Sequence, residues 1–434
     1  MRFLYNSLFV LTLVGGGVAA WVLPGMGVKG VAAATPSAAT LRRQAIVFYE
    51  RRLVEDPSSA LDMAQLAALQ MEEGRMSGDE RAFVEAELLA RRSLAERTRR
   101  NGRSAALLVN SLLAQHRFRE ALVSARDLVD AEPDEPAYRA LLAEALLEVG
   151  GYDEALQELN ATRAHREDLG IAPRFARWAE LTGRVGEARR ILRAARDAAL
   201  QRADLTGEQR AWFSLRLADL ELRHGNLRSA AQAISQGMKV SPGDWRLMLT
   251  RARLSVAEQD WRSAARDLEG VIATVPSPEA FALLATTRRK LGLEDEARAF
   301  EAILENLVDK PGALHRTWAF ALLDRGQSID KIVTAASADT LVRQDVHTLD
   351  LLAWALHRAG RTGDALPIVR RAVRTGTAEP SLRYRAGVIE ADAGNSDAAR
   401  SHLNLALARR GALSDAQVTE IRRTLRTLPS TSEH

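Results

Sequence analysis

The sequence predicts an all-α solenoid, a row of about ten helical hairpins behind an apolar N-terminal segment. Three observations carry this. From residue 58 onward, apolar residues recur at helical spacing over stretches of 12 to 16 residues rich in Ala, Leu, Glu and Arg, the pattern of amphipathic helices. Glycine or proline breaks separate the stretches, and strand signals are missing. Small residues then return at a nearly constant step, which marks a repeat array and not one large core.

Composition removes several functional classes at once. The 434 residues include no cysteine, so disulfides, thiolate zinc sites, iron–sulfur clusters and cysteine nucleophiles are excluded. Hydrophobic residues at 47% and charged ones at 27% supply enough apolar surface for a folded core. Sixty basic against 56 acidic side chains give a net charge of +4, a balance that implies no nucleic-acid partner.

Residues 1–34 contain no acidic residue, and Phe3 to Leu23 is apolar apart from Tyr5, Asn6, Ser7, Thr12 and three glycines. With Arg2 in front and small-residue sites at Val18-Ala19-Ala20 and Ala32-Ala33-Ala34, this is an export signal. The competing reading is an uncleaved anchor, because residues 4–23 are just long enough to span a bilayer. The expectation is a periplasmic or extracellular protein, or one held at the cytoplasmic membrane by residues 4–23. Gly25-Met26-Gly27-Val28-Lys29-Gly30 matches G-x-G-x-x-G, but no strand precedes it and no βαβ unit follows, so no nucleotide cofactor is expected.

Residues 35–57 comprise a linker and a lone amphipathic helix, "QAIVFYERRLVEDP" (44–57), with Ile46, Phe48, Tyr49 and Leu53 placed to cap the array. The first hairpin pairs Leu61–Met71 with Ala82–Leu94 across a loop containing Gly74 and Gly78. The repeat is regular after that. A small residue stands five positions after a glycine or polar residue at Ala121, Ala155, Ala188, Ala230, Ala264 and Ala297, then Lys331, Ala365 and Ala399, in steps of 34, 33, 42, 34, 33, 34, 34 and 34. A second lies twelve positions earlier, at Ala143, Ala176, Ala218, Ala252, Ala285, Ala319, Ala353 and Gly387. Antiparallel helices approach to about 8–10 Å only where the facing side chains are small. Leu142, Phe175, Leu217, Leu284, Trp318 and Leu352 on the first helices, with Leu159, Leu192, Ile234, Leu268, Val369 and Leu403 on the second, fill the space around these sites.

Over residues 58–411 this pattern resembles the tetratricopeptide repeat family, clearest in "LLAEALLEVGGYDEAL" (141–156), "LAWALHRAGRTGDAL" (352–366) and "AGVIEADAGNSDAAR" (386–400), with Pro133, Pro242 and Pro276 closing units. The narrower likeness is to exported bacterial members of that family. The resemblance implies a right-handed superhelix of helix–turn–helix units. Two departures need local explanations. The 42-residue step lengthens the second helix through "ILRAARDAALQRA", before a Thr206–Gln209 capping box. Lys331 at a small position calls for a register shift that turns Ile332 or Ala335 inward, because a buried ammonium is costly. Ser414 and Gln417 form a second capping box, opening a C-terminal cap through Leu428 with Arg422, Arg423 and Arg426 outward, then a polar tail to residue 434.

Local motifs for chemistry are missing: there is no H-E-x-x-H, G-x-S-x-G, P-loop or EF-hand, and no two histidines lie four apart. No metal site and no catalytic residue is expected. His116 takes the inter-helix turn where other units carry glycine. Glu144, Glu180 and Asp219 interleave with Arg177, Arg253 and Arg289 on the first helices, as alternating charge along a solvated groove. Arg91, Arg92, Arg97, Arg99, Arg100 and Arg103 make the one dense basic cluster, read as a solvated helix end with a phosphate or membrane contact as the alternative.

The family resemblance implies a non-enzymatic scaffold that binds a peptide or protein segment in the concave groove. The carboxylate clamp of its chaperone-binding members is not reproduced, since those positions carry Ala106 with Asn110, Ala140 with Glu144, and Pro173 with Arg177. Candidate partner-binding residues are Arg316, Phe320, Asp350, Trp354, His357 and Tyr384, aromatic and charged groups at inner-face positions of successive units. The alternative reading is an accessory subunit of an envelope enzyme or of exopolysaccharide-secretion machinery.

Overall fold

The computed structural model describes residues 37–308 and 315–429. The expected export segment and its glycine motif lie outside the described residues. So does the tail from 430.

Helix α1 (Ala38–Glu55) caps ten hairpins. The first five pair α2 (Ala60–Ser77) with α3 (Glu80–Glu96), α4 (Gly102–Ala114) with α5 (Phe118–Ala131), α6 (Pro136–Val149) with α7 (Tyr152–Ala161), α8 (Ala172–Leu181) with α9 (Val185–Leu200), and α10 (Gly207–Arg223) with α11 (Leu227–Val240). Next come α12 (Trp245–Ala257) with α13 (Trp261–Thr274), α14 (Pro278–Lys290) with α15 (Glu294–Val308), and α16 (Arg316–Asp324) with α17 (Ile329–Val342). The last two pair α18 (Val346–Arg358) with α19 (Thr362–Val373) and α20 (Pro380–Asp392) with α21 (Ser396–Leu407), before the cap α22 (Asp415–Thr427).

Local chemistry sets these boundaries. Helix α1 begins six residues before the capping helix expected from sequence, because the Ser37 hydroxyl accepts from the Thr40 amide and Ala38 and Ala39 favour the helix. Both capping boxes form, Thr206 with Gln209 and Ser414 with Gln417. At each hairpin turn from the second to the tenth, the residue five places before the small position has positive φ: His116, Gly150, Gly183, Gly225, Gln259, Gly292, Gly326, Gly360 and Gly394. Glycine enters the left-handed region without a Cβ penalty, and His116 and Gln259 adopt it with one.

The small residues sit where helices cross. Ala121, Ala155, Ala188, Ala230, Ala264, Ala297, Ala365 and Ala399 are fully buried, as are Ala143, Ala218, Ala252, Ala285, Ala319 and Ala353, with Ala176 close behind. At Gly387 an added Cβ would lie 2.5 Å from Leu403 Cδ2. Lys331 is exposed, while Ile332 and Ala336 turn inward and Ala335 is half-buried. The eighth hairpin has slipped its register by one residue, which keeps the ammonium in water. Leu268, Leu284 and Leu403 are fully buried around the crossings, each contributing about 1.5–3 kcal/mol through lost apolar surface.

The stack curves in a direction the packing fixes. Successive first helices, α8 and α10 excepted, touch one another directly, whereas successive second helices make no comparable contact, so the first helices line the concave side. They are correspondingly more buried, with ten buried residues each in α18 and α20 against three each in α19 and α21. The second helices keep one apolar stripe and turn most of their charges outward, Glu87 and Asp267 being buried exceptions.

Curvature carries the chain around until it meets itself. The turn of the third hairpin reaches the link between the eighth and ninth: the Gln344 amide donates to Val149 O at 3.1 Å and the Val346 amide to the Tyr152 hydroxyl at 2.8 Å. A Cβ on Gly150 would lie 2.6 Å from Gln344 O. The same offset recurs. Gly183 lies against Gly376 O, and Gly225 against Arg409 O and the Ala412 amide. Gly78 faces Val275. The turns of the C-terminal half, at Gly292, Gly360 and Gly394, have nothing nearby. One superhelical turn thus takes five hairpins and a link, and the second turn rests on the first.

Candidate functional site

Charged residues of the first helices line the inner face, and most are paired. Glu180 accepts from Arg223 Nε at 2.8 Å and from Arg177 at 3.1 Å, with His224 Nε2 3.5 Å away. Burial alone would raise this carboxyl, but Arg223, His224 and Arg177 hold it well below the usual range. Arg253 bridges Asp219 at 3.1 Å and Glu279 at 2.7 and 2.6 Å. Arg174 holds Glu144 at 2.6 Å. Arg289 turns instead to the second helix of its own hairpin, at 3.0 Å from Glu294 and 2.9 Å from Glu301. The alternating charges are therefore a lattice of ion pairs and not a set of poised acids and bases.

Where the two superhelical turns meet, the lattice crosses between them. Arg177 stands 3.1 Å from His347 Nε2, and His347 Nδ1 is 3.7 Å from Glu379. The network selects the neutral tautomer that carries its proton on Nδ1. Burial, reinforced by Arg177 and Arg316, pushes His347 down to about 4 against the pull of Glu379. Arg316 has only through-space neighbours: burial lowers its pKa, Asp345 and Glu148 attract it, and Arg343 and Arg177 repel it. Its guanidinium therefore keeps donor capacity for a ligand carboxylate.

The other five residues singled out from sequence come together in the last three hairpins. The Arg385 guanidinium lies 4.1 Å above the Phe320 ring and pairs with Asp350 through Nε at 2.9 Å. The Trp354 indole donates to Asp324 at 3.3 Å, stacks on His357 with centroids 5.1 Å apart, and lies 5.8 Å from Tyr384. The Tyr384 hydroxyl donates to Glu420 in the C-terminal cap. His357 Nε2 is 3.5 Å from Asp392. Asp350 and Trp354 are 2% exposed and Tyr384 is 4%, so these three join α16, α18, α20 and α22 to one another. Phe320 and His357 keep some surface. Sequence position alone missed Glu148, Arg343, Asp345 and Glu379, which reach the site only because the coil returns on itself.

Among the described residues, no group of three histidine, aspartate or glutamate side chains could hold a metal ion. No described helix is long and apolar enough to cross a membrane.

Residues 112–181 and 351–414 each match a family model described as Tetratricopeptide repeat. The chain is 24% identical over 306 residues to "Cellulose synthase operon protein C" of Pseudomonas fluorescens (strain SBW25). That alignment covers 69% of this chain and 22% of that protein, so the chain spans only about a fifth of this relative. Similar solved structures include the human IFIT1 dimer with PPP-AAAA, at 14% identity and TM-score 0.45 over 85% of this chain and 86% of that one. Another is the APC/C hetero-tetramer Cut9–Hcn1, at 11% identity and TM-score 0.35 over 89% and 94%.

Proposed function

We propose that this chain, which matches tetratricopeptide-repeat models over residues 112–181 and 351–414, is a non-enzymatic scaffold of the cell envelope that binds a peptide or protein segment on its concave face. The observation that carries this reading is the inner lattice itself. Most of its acids and bases are spent on each other, which suits recognition, while Arg316 stays unpaired beside the partly buried Phe320. An acidic or C-terminal carboxylate group of a partner would meet Arg316, and apolar side chains would meet Phe320 and His357. Asp350, Trp354 and Tyr384 serve this surface by holding its helices together.

A second reading, as accessory subunit of an envelope enzyme or exopolysaccharide-secretion machine, draws on the similarity to cellulose synthase operon protein C. Site-specific photocrosslinking in the native host tests both. A benzophenone side chain at position 316 is expected to capture discrete protein adducts that the same group at Val123, exposed on the outer helix α5, does not. Adducts with a polymer synthase would select the second reading. No adducts, or the same adducts from both positions, would refute a concave binding face.

A further inference from the structure

We propose that the N-terminal edge of the solenoid is a docking surface for an anionic lipid bilayer, separate from the concave face. Residues 91–103 carry six arginines and one acid, Glu96, in a chain whose net charge is only +4. Arg103 is engaged by Gln65 at 2.8 Å and Arg91 by Glu87 at 2.9 Å. Arg97, Arg99 and Arg100 are exposed, and the Arg97 side chain is held only by the Arg99 carbonyl at 3.2 Å.

The cluster shares one edge with apolar groups. The Ser93 hydroxyl donates to Ala60 O at 2.7 Å, and Arg92 reaches Pro57 O at 3.5 Å. These bonds set the end of α3 against the α1–α2 link, where Val54 is 81% and Leu61 62% exposed. Large apolar side chains standing in water beside unpaired guanidinium groups match an interface of anionic head groups over acyl chains. They match a second copy of this chain poorly, because a self-complementary contact would set the same arginines against each other. An acidic protein would use the charges and leave Val54 and Leu61 without a role.

The sequence before the described residues points the same way. A largely apolar stretch, residues 4–23, stands thirteen residues ahead of Ser37, and that linker can span at most roughly 45 Å. An anchored chain therefore holds α1 close to the bilayer surface. One apolar segment and one basic patch are the two signals that together give stable membrane attachment.

The chain has no cysteine, so a single dye can be placed at will. The full chain bearing a dye at Ser58→Cys, on this edge, is mixed with spin-labelled vesicles of phosphatidylcholine with or without phosphatidylglycerol. A second sample carries the dye at Gly363→Cys, where an added side chain meets open space. The expected result is quenching at position 58 in phosphatidylglycerol vesicles only, reversed by high salt, with no change at 363. Arg97→Gln, Arg99→Gln and Arg100→Gln together should weaken the response by roughly a hundredfold, from about 1 kcal/mol per arginine near an anionic surface. Equal quenching in neutral and anionic vesicles would overturn the proposal, as would a response the triple substitution leaves intact. Energy transfer between copies at position 58 without lipid would overturn it in favour of self-association.

Discussion

Replacing Gly150 with alanine separates the contact between superhelical turns from the conformation of the hairpin turn. Two penalties fall on this position. With φ at 86°, any Cβ adds about 1–2 kcal/mol for left-handed backbone. The new methyl also lands 2.6 Å from Gln344 O and 3.1 Å from the Asp345 amide, both main-chain atoms that cannot swing aside. Relief requires the two turns to part, at about 1–3 kcal/mol for such overpacking. Gly360 has φ 74° and nothing near its Cβ, so Gly360→Ala pays only the first penalty. Urea titrations followed by circular dichroism should place Gly150→Ala about 1–3 kcal/mol below Gly360→Ala, and small-angle scattering should show a longer particle for Gly150→Ala alone. Equal midpoints and equal scattering for the two variants would refute the claim that the turns touch.

Other perturbations test separate parts of the account. Ala264→Leu places a large side chain at a fully buried crossing and should destabilise by about 1–3 kcal/mol, measured by urea midpoint. Thr206→Ala removes a formed capping box, with an expected loss of about 1 kcal/mol and an earlier onset of thermal unfolding. His347, ordinarily near 6.5 but about 4 when folded, gains its proton more readily in the unfolded chain. Its contribution should therefore be intact above pH 6.5 and fall by about 1.4 kcal/mol per pH unit towards pH 4. A pH series comparing the wild type with His347→Gln should show that slope only in the wild type.

Much of the fold is written locally. The alanines at 33- and 34-residue steps, the left-handed residue five positions before each, and the Thr206 and Ser414 boxes each express one short-range requirement, and all were legible. The inner site was legible in part. Arg177, Glu180, Asp219 and Arg253 follow from helical phase along single first helices. The partnership of Arg177 with His347, 170 residues apart, does not, because it depends on the summed rotation of five stacked hairpins, to which every packing contact contributes a little. Helical phase likewise placed Trp354 and Tyr384 on the inner face, but large rings fill the gaps between successive first helices and so lose their surface. Lys331 announced its register slip because burying an ammonium was the worse outcome.

The solenoid is built of hairpins that nest at small residues and wind until one turn rests on the next. Gln259 Nε2 donates to Asp415 at 2.7 Å across 156 residues, with both side chains exposed. Gln259→Cys with Asp415→Cys, treated with a short bismaleimide at high dilution, should give a single intramolecular crosslink in nearly every molecule, located by peptide mass mapping. If each cysteine is modified separately and no 259–415 bridge forms in the folded chain, the solenoid is open and the account is wrong.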